Sequence, residues 1–252
     1  MARTEPGHAI VIEFLGLPGS GKSTVCRQLQ ALLLVQGIHA ANTQDFVRWS
    51  ASQSRLGKLA HALRAPARTA RHLFSALRFW WSLDRRSAAT LRRALLAAPI
   101  AASLARYVQG TDADVILLDQ ADMQGVWSIG ALASSFDGMA LDGLLTTAAA
   151  WVPRTYVHTD ADVTFAANNI AERPDGGSRF DRLQSLHVES ALQQALPLMT
   201  AIADWLRVHH DRVLTLPAQA DVDRKARDVA DFVHRLLSQP VPRAEPPVIA
   251  DG

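Results

Sequence analysis

Cysteine is nearly absent. Cys26 is the only one in 252 residues, so no disulfide can close within the chain, and a reducing compartment is compatible with it. The first eight residues lack the apolar core of a secretory signal. No run of about 18 apolar residues reads as a membrane span, because the longest apolar stretches are broken by Arg, Asp or Gln. These shortages lead to the expectation of a cytoplasmic protein without a membrane span. Acid is missing from one stretch: between positions 46 and 93, eleven Arg or Lys face a single Asp84, while the remainder holds 15 basic and 23 acidic residues. A net charge of +2 therefore hides a basic segment on an otherwise acidic chain, a distribution suited to an anionic ligand or surface. The plainer reading of such a charge run is a solvated helix face. Trp49, Trp80 and Trp81 stand among the arginines, where indoles stack a base or a sugar, but at helical spacing they are more often core.

Hydrophobic residues make up 48% of the chain and charged residues 20%, enough for a packed core in one domain of this length. The apolar run 9–15 predicts a buried strand, followed by a Gly-rich turn, a helix over 22–36 ended by Gly37, and a second strand over 38–41. That order opens a parallel α/β sheet. Residues 50–107 read as helices, with stripes at Leu56, Leu59 and Leu63 and at Leu73, Leu77 and Trp80 or Trp81. Pro66 should separate them, and Pro99 should break the next helix. Further strands are expected at 115–118, 155–158 and 213–216. Helices are expected at 129–150, 162–172, 181–208 (despite Pro197) and 221–237, and a disordered Pro-rich tail at 239–252.

The turn carries chemistry. Gly16, Leu17, Pro18, Gly19, Ser20, Gly21, Lys22 and Ser23 fit G-x-x-x-x-G-K-[ST] at every fixed position, between a predicted strand and a predicted helix. Glycines let successive backbone N–H groups converge on phosphate oxygens, and the helix adds its positive end; Thr24 continues this phosphate-facing turn. Lys22 should reach the β- and γ-phosphates of ATP, and Ser23 should ligate Mg²⁺. Asp119 ends the third strand, where α/β sheets bind ligands; it is expected to organise the metal or take a proton, with a helix N-cap as the plainer reading. Asp45 and Arg48 follow the second strand as general base and anion clamp, or as parts of a capped helix with Asp45 at the N-cap. Arg173 and Arg179, around a Pro-Asp-Gly-Gly turn, are expected to neutralise a transferring phosphoryl group, whereas Arg182 is taken as an ordinary surface residue. Cys26 is read as packing, and His209 and His210 receive no role.

Together, the Gly16–Ser23 motif after a strand, Asp119 after the third, and Arg173 with Ser178, Arg179, Phe180 and Asp181 after the fourth resemble the P-loop nucleoside and nucleotide kinases, in particular the thymidylate kinase-like branch. The resemblance runs in order over 9–237, with only the first motif strongly specific. It implies a five-stranded parallel sheet flanked by helices, one kinase-like domain over 1–238, a helical acceptor-binding region at 46–110 and a lid at 168–182. It also implies ATP and Mg²⁺ as cofactor and metal, and a small-molecule phosphate acceptor as partner; a homodimer is compatible, and nucleic acid is not expected. The chain departs from the family in three places. Gln120 stands where members place an Arg that grips the acceptor's phosphate, and so is the residue expected to face the acceptor. Asn169 replaces the first lid Arg. Leu15 replaces a glutamate beside the first glycine, with Glu13 two residues earlier. These departures argue against thymidylate and leave open a nucleoside, a sugar or antibiotic hydroxyl, or a non-catalytic ATP-binding switch.

Overall fold

The computed structural model describes residues 9–54, 57, 60, 61, 63–172, 185–218 and 220–238. Its five strands are β1 (Ile10–Leu15), β2 (Ala40–Asn42), β3 (Val115–Leu118), β4 (Thr155–Thr159) and β5 (Val213–Leu216). They form one all-parallel sheet in the order β2-β3-β1-β4-β5, so this is an α/β fold with β1 at its centre. Side chains alternate across the sheet. Ile12 and Phe14 pack under helices α1 (Lys22–Val35) and α9 (Val222–Ser238). Val11, Glu13 and Leu15 point to the other face. That face is covered by α3 (Pro66–Ser82), α4 (Ala88–Gly110), α5 (Asp122–Gly130), α6 (Gly138–Ala149) and α8 (Ser185–His209). Two shorter helices, α2 (Thr43–Ser52) and α7 (Val163–Ala171), follow β2 and β4 at the carboxyl edge of the sheet.

Several expectations shift. The second strand starts two residues late and ends on Asn42, which doubles as the N-cap of α2. Pro99 does not break α4: it lies off the buried stripe of Ala94, Ala98, Ala101 and Ala102, so the missing amide falls on the outer side and the helix runs through. Pro66 starts α3 at its first turn, a position that needs no amide. The buried stripe of α3 is His72, Ala76 and Phe79, with Leu77 and Trp80 packed beside it, while Trp81 stands 70% exposed. Leu56 and Leu59 lie outside the described residues, and Leu63 is exposed. The single helix expected over 129–150 is two helices. Asp137 caps the second by accepting from the backbone N–H of Met139 at 2.8 Å.

Among the described residues α4 alone is long and apolar enough to cross a membrane, where the sequence reading saw no span. Positions 94–105 carry no charge, and their many alanines raise hydropathy without bulk. One face of α4 is packed into the domain core, which accounts for that composition in a core helix. The expected tail at 239–252 and most of the expected lid lie outside the described residues.

Candidate functional site

The chain leaves β1 at Leu15 and turns sharply. Gly16, Gly19 and Gly21 all adopt positive φ, at 148°, 85° and 89°. Space demands glycine at two of them as well. A Cβ on Gly16 would stand 2.5 Å from the Thr159 carbonyl, and one on Gly19 2.1 Å from the Ala166 carbonyl. The loop is thus wedged against the end of β4 and the backbone of α7. Asn169 on α7 tightens this by donating to the Gly19 carbonyl at 2.8 Å. Helix α1 begins at Lys22 with no side-chain cap and no acid in its own first turn, so its positive end lies beside the loop. Lys22 is buried, and its ammonium donates to the Gly16 and Leu17 carbonyls at 2.7 and 2.8 Å and to Ser20 Oγ at 3.3 Å.

Ser23 and Asp119 meet across the sheet. The Ser23 hydroxyl donates to Asp119 Oδ2 at 2.5 Å, and the Asp119 backbone N–H donates to Thr43 Oγ1 at 3.0 Å. The plainer reading of Asp119 as a helix cap falls away, because α5 starts three residues later. Asp45 and Arg48 are engaged with each other at the start of α2. Asn42 is the N-cap, where the plainer reading put Asp45; Asp45 is the third helical residue and accepts from the Asn42 N–H at 2.8 Å, and Arg48 donates to Asp45 at 2.5 Å. The capping box and the ion pair thus occupy the carboxylate offered as a base and the guanidinium offered as an anion clamp. Arg173 and Arg179 lie outside the described residues, as does Arg182. Thr24 is exposed on α1.

Beside the loop opens a cavity of about 460 Å³. Pro18, Gly19, Gly21, Lys22 and Ser23 form one wall. Phe46, Arg93, Leu96, Ala97, Ile100 and Leu104 from α2 and α4 form another. Gln120, Ala121, Asp122, Gln124, Gly125, Val126, Trp127 and Ser128, with His72 and Leu118, complete it among the described residues. Gln120, the residue expected to face the acceptor, lines this cavity. Neither Asp45 nor Asp119 is in this wall; its carboxylate is Asp122. Of the eleven cations in the basic segment, Arg93 lines the cavity. Arg71, Arg78, Arg85, Arg86 and Arg92 are solvent-exposed, as the plainer reading holds.

A buried ion group supports the floor, and sequence reasoning missed it. Arg154, just before β4, donates to Glu13 Oε2 at 2.7 Å and to Asp122 Oδ2 at 2.6 Å, with its side chain fully buried. Glu13 Oε1 also accepts from the Met123 N–H at 2.7 Å. A carboxylate from the central strand therefore caps α5 from below and sets the helix that carries Asp122, Gln124 and Trp127. Burial pushes the Glu13 carboxyl above its ordinary value, and the Arg154 guanidinium opposes that shift. The only sequence signal was a glutamate inside an apolar strand. His72 was also missed. His72 Nδ1 lies 3.0 Å from Thr147 Oγ1, within hydrogen-bond distance, and Thr147 Oγ1 also lies 3.0 Å from the Leu144 carbonyl. Burial holds this imidazole below its ordinary pKa, neutral near pH 7.

No protein-family model matches the chain, and no curated protein is significantly similar to it.

Proposed function

We propose that the chain is a P-loop phosphotransferase that uses ATP and Mg²⁺ to phosphorylate a hydroxyl group on a small molecule. The observation that carries this reading is one juxtaposition: the Ser23 hydroxyl on the Asp119 carboxylate, at the mouth of a glycine-built loop roofed by Lys22, beside a cavity that the loop itself walls. Three glycines at positive φ and a helix N-terminus beside the loop fit a polyphosphate. Ser23 and Asp119 supply one hydroxyl and one carboxylate, and among the described residues no cluster of three or more His, Cys, Asp or Glu forms a denser metal site. So sparse a donor set fits Mg²⁺, which keeps waters and takes the remaining oxygens from phosphate. When bound there, the ion neutralises charge on the transferring group.

The chain's own residues do the rest. The loop holds the donor and fixes its line of approach, and Lys22 turns from the loop carbonyls toward the β- and γ-oxygens. The acceptor oxygen bonds to the γ-phosphorus. The bond from that phosphorus to the β–γ bridging oxygen breaks, and ADP leaves with the electron pair. One group in the cavity wall can accept the hydroxyl proton, the His72 imidazole, since the Asp122 carboxylate is engaged by Arg154.

The test is equilibrium binding of N-methylanthraniloyl-ATP with and without Mg²⁺. The wild-type chain should bind it, Lys22→Ala should weaken binding by about tenfold or more, and Asp119→Asn should remove most of the Mg²⁺ dependence. Equal binding by all three chains would contradict the reading.

A further inference from the structure

The walls of the cavity specify more than a hydroxyl. We propose that the acceptor is an uncharged alcohol with an apolar body, an alkyl chain or aromatic ring, rather than a nucleotide, a sugar or a polycation. This deepens the phosphotransferase reading and rests on it for the identity of the reaction.

Charge is the first argument. Among the described residues, the wall away from the loop holds one cation, Arg93, and one anion, Asp122, whose Oδ2 is already held by Arg154 at 2.6 Å. A phosphate-bearing acceptor calls for converging cations, best a guanidinium fork, and Gln120 brings none. A polycation calls for several acids, and the wall offers one.

Apolar surface is the second. Leu96 and Ile100 remain 42% and 46% exposed on α4 and line the cavity with Phe46. The same three residues also line an adjoining groove of about 440 Å³, otherwise bounded by Val47, Ser50, Ala51, Pro99 and Ser103. An apolar body laid along these residues leaves water, which a sugar does not gain from.

The experiment titrates the full chain by calorimetry with 2-(2-naphthyl)ethanol, ethylene glycol, thymidine monophosphate and kanamycin. N-methylanthraniloyl-ATP binding is measured in parallel. Naphthylethanol is expected to bind at least ~tenfold more tightly than the other three, and Ile100→Asp to weaken it by a similar factor without changing binding of the ATP analogue. Leu96→Asp serves as a second variant; both positions are half exposed, and circular dichroism checks that each chain folds. Tighter binding of thymidine monophosphate or kanamycin, or wild-type naphthylethanol binding in both folded variants, overturns the proposal. An ATP analogue that binds while naphthylethanol does not also overturns it and spares the phosphotransferase reading. Naphthylethanol that binds while the analogue does not supports the pocket assignment and contradicts the phosphotransferase reading.

Discussion

At the scale of single residues, position 169 shows how a departure from a familiar pattern finds a use. In the resembled kinases an arginine stands there. Here a shorter amide reaches back from α7 to the Gly19 carbonyl and holds the loop against the helix. A neutral hydrogen bond of this kind contributes roughly 1 kcal/mol. Asn169→Ala should therefore weaken binding of the ATP analogue by about fivefold while leaving its Mg²⁺ dependence unchanged. Unchanged affinity in a direct titration would show that the Gly16 and Gly19 close approaches alone fix the loop. Cys26 contributes packing only: burial lifts its thiol well above the ordinary value, Asp119 adds to this and Lys22 opposes it. That agrees with the reading of its place one turn into α1.

Among elements, α5 decides the shape of the cavity, and it depends on the ion group beneath it. Glu13 and Asp122 both rely on Arg154, and removing one member of a fully buried group leaves charge without compensation. Arg154→Met should cost about 3–5 kcal/mol in urea unfolding. Amide exchange should rise at Met123, whose N–H donates to Glu13. A loss below about 1 kcal/mol would mean that the group holds α5 no better than apolar packing would.

This element also marks the limit of what the sequence discloses. The strand, glycine turn and helix around positions 10–35 were legible because local chemistry fixes them: β-branched residues, three glycines and a helical apolar stripe agree. Asp119 was legible as a strand-end acid, and its Ser23 contact follows from the neighbouring strands β1 and β3. Helix α5 was not legible at its start, because its cap comes from a residue 110 positions earlier. Asp45 was misread because its N-cap, Asn42, was assigned to no element. Arg93, one of eleven cations in a run, gave no local sign that it would line the cavity.

For the molecule as a whole, buried imidazoles set the response to acid. His72, His158 and His210 are each held below their ordinary value of 6.5, with burial the largest cause. The unfolded chain therefore binds more protons than the folded one just below that value. Their contribution to stability is complete above about pH 6.5 and is lost as pH falls toward their depressed folded values. Glu13, raised by burial, acts with the opposite sign, being lost as pH rises above 4.5 toward its folded value. His72→Gln isolates one histidine: its urea midpoint should fall less than that of the wild type between pH 7.5 and pH 5.5. An identical fall in both chains would contradict the assignment of His72 as a neutral buried group.

Transfer itself tests the central claim most directly. The chain is incubated with γ-labelled ATP, Mg²⁺ and a panel of nucleosides, nucleoside monophosphates, sugars, aminoglycosides and apolar alcohols, beside Lys22→Ala. Label moved to a hydroxyl of one acceptor, and lost in the variant, is the predicted result. Tight ATP binding with no label on any acceptor would contradict the phosphotransferase account and point instead to a nucleotide-gated binding protein.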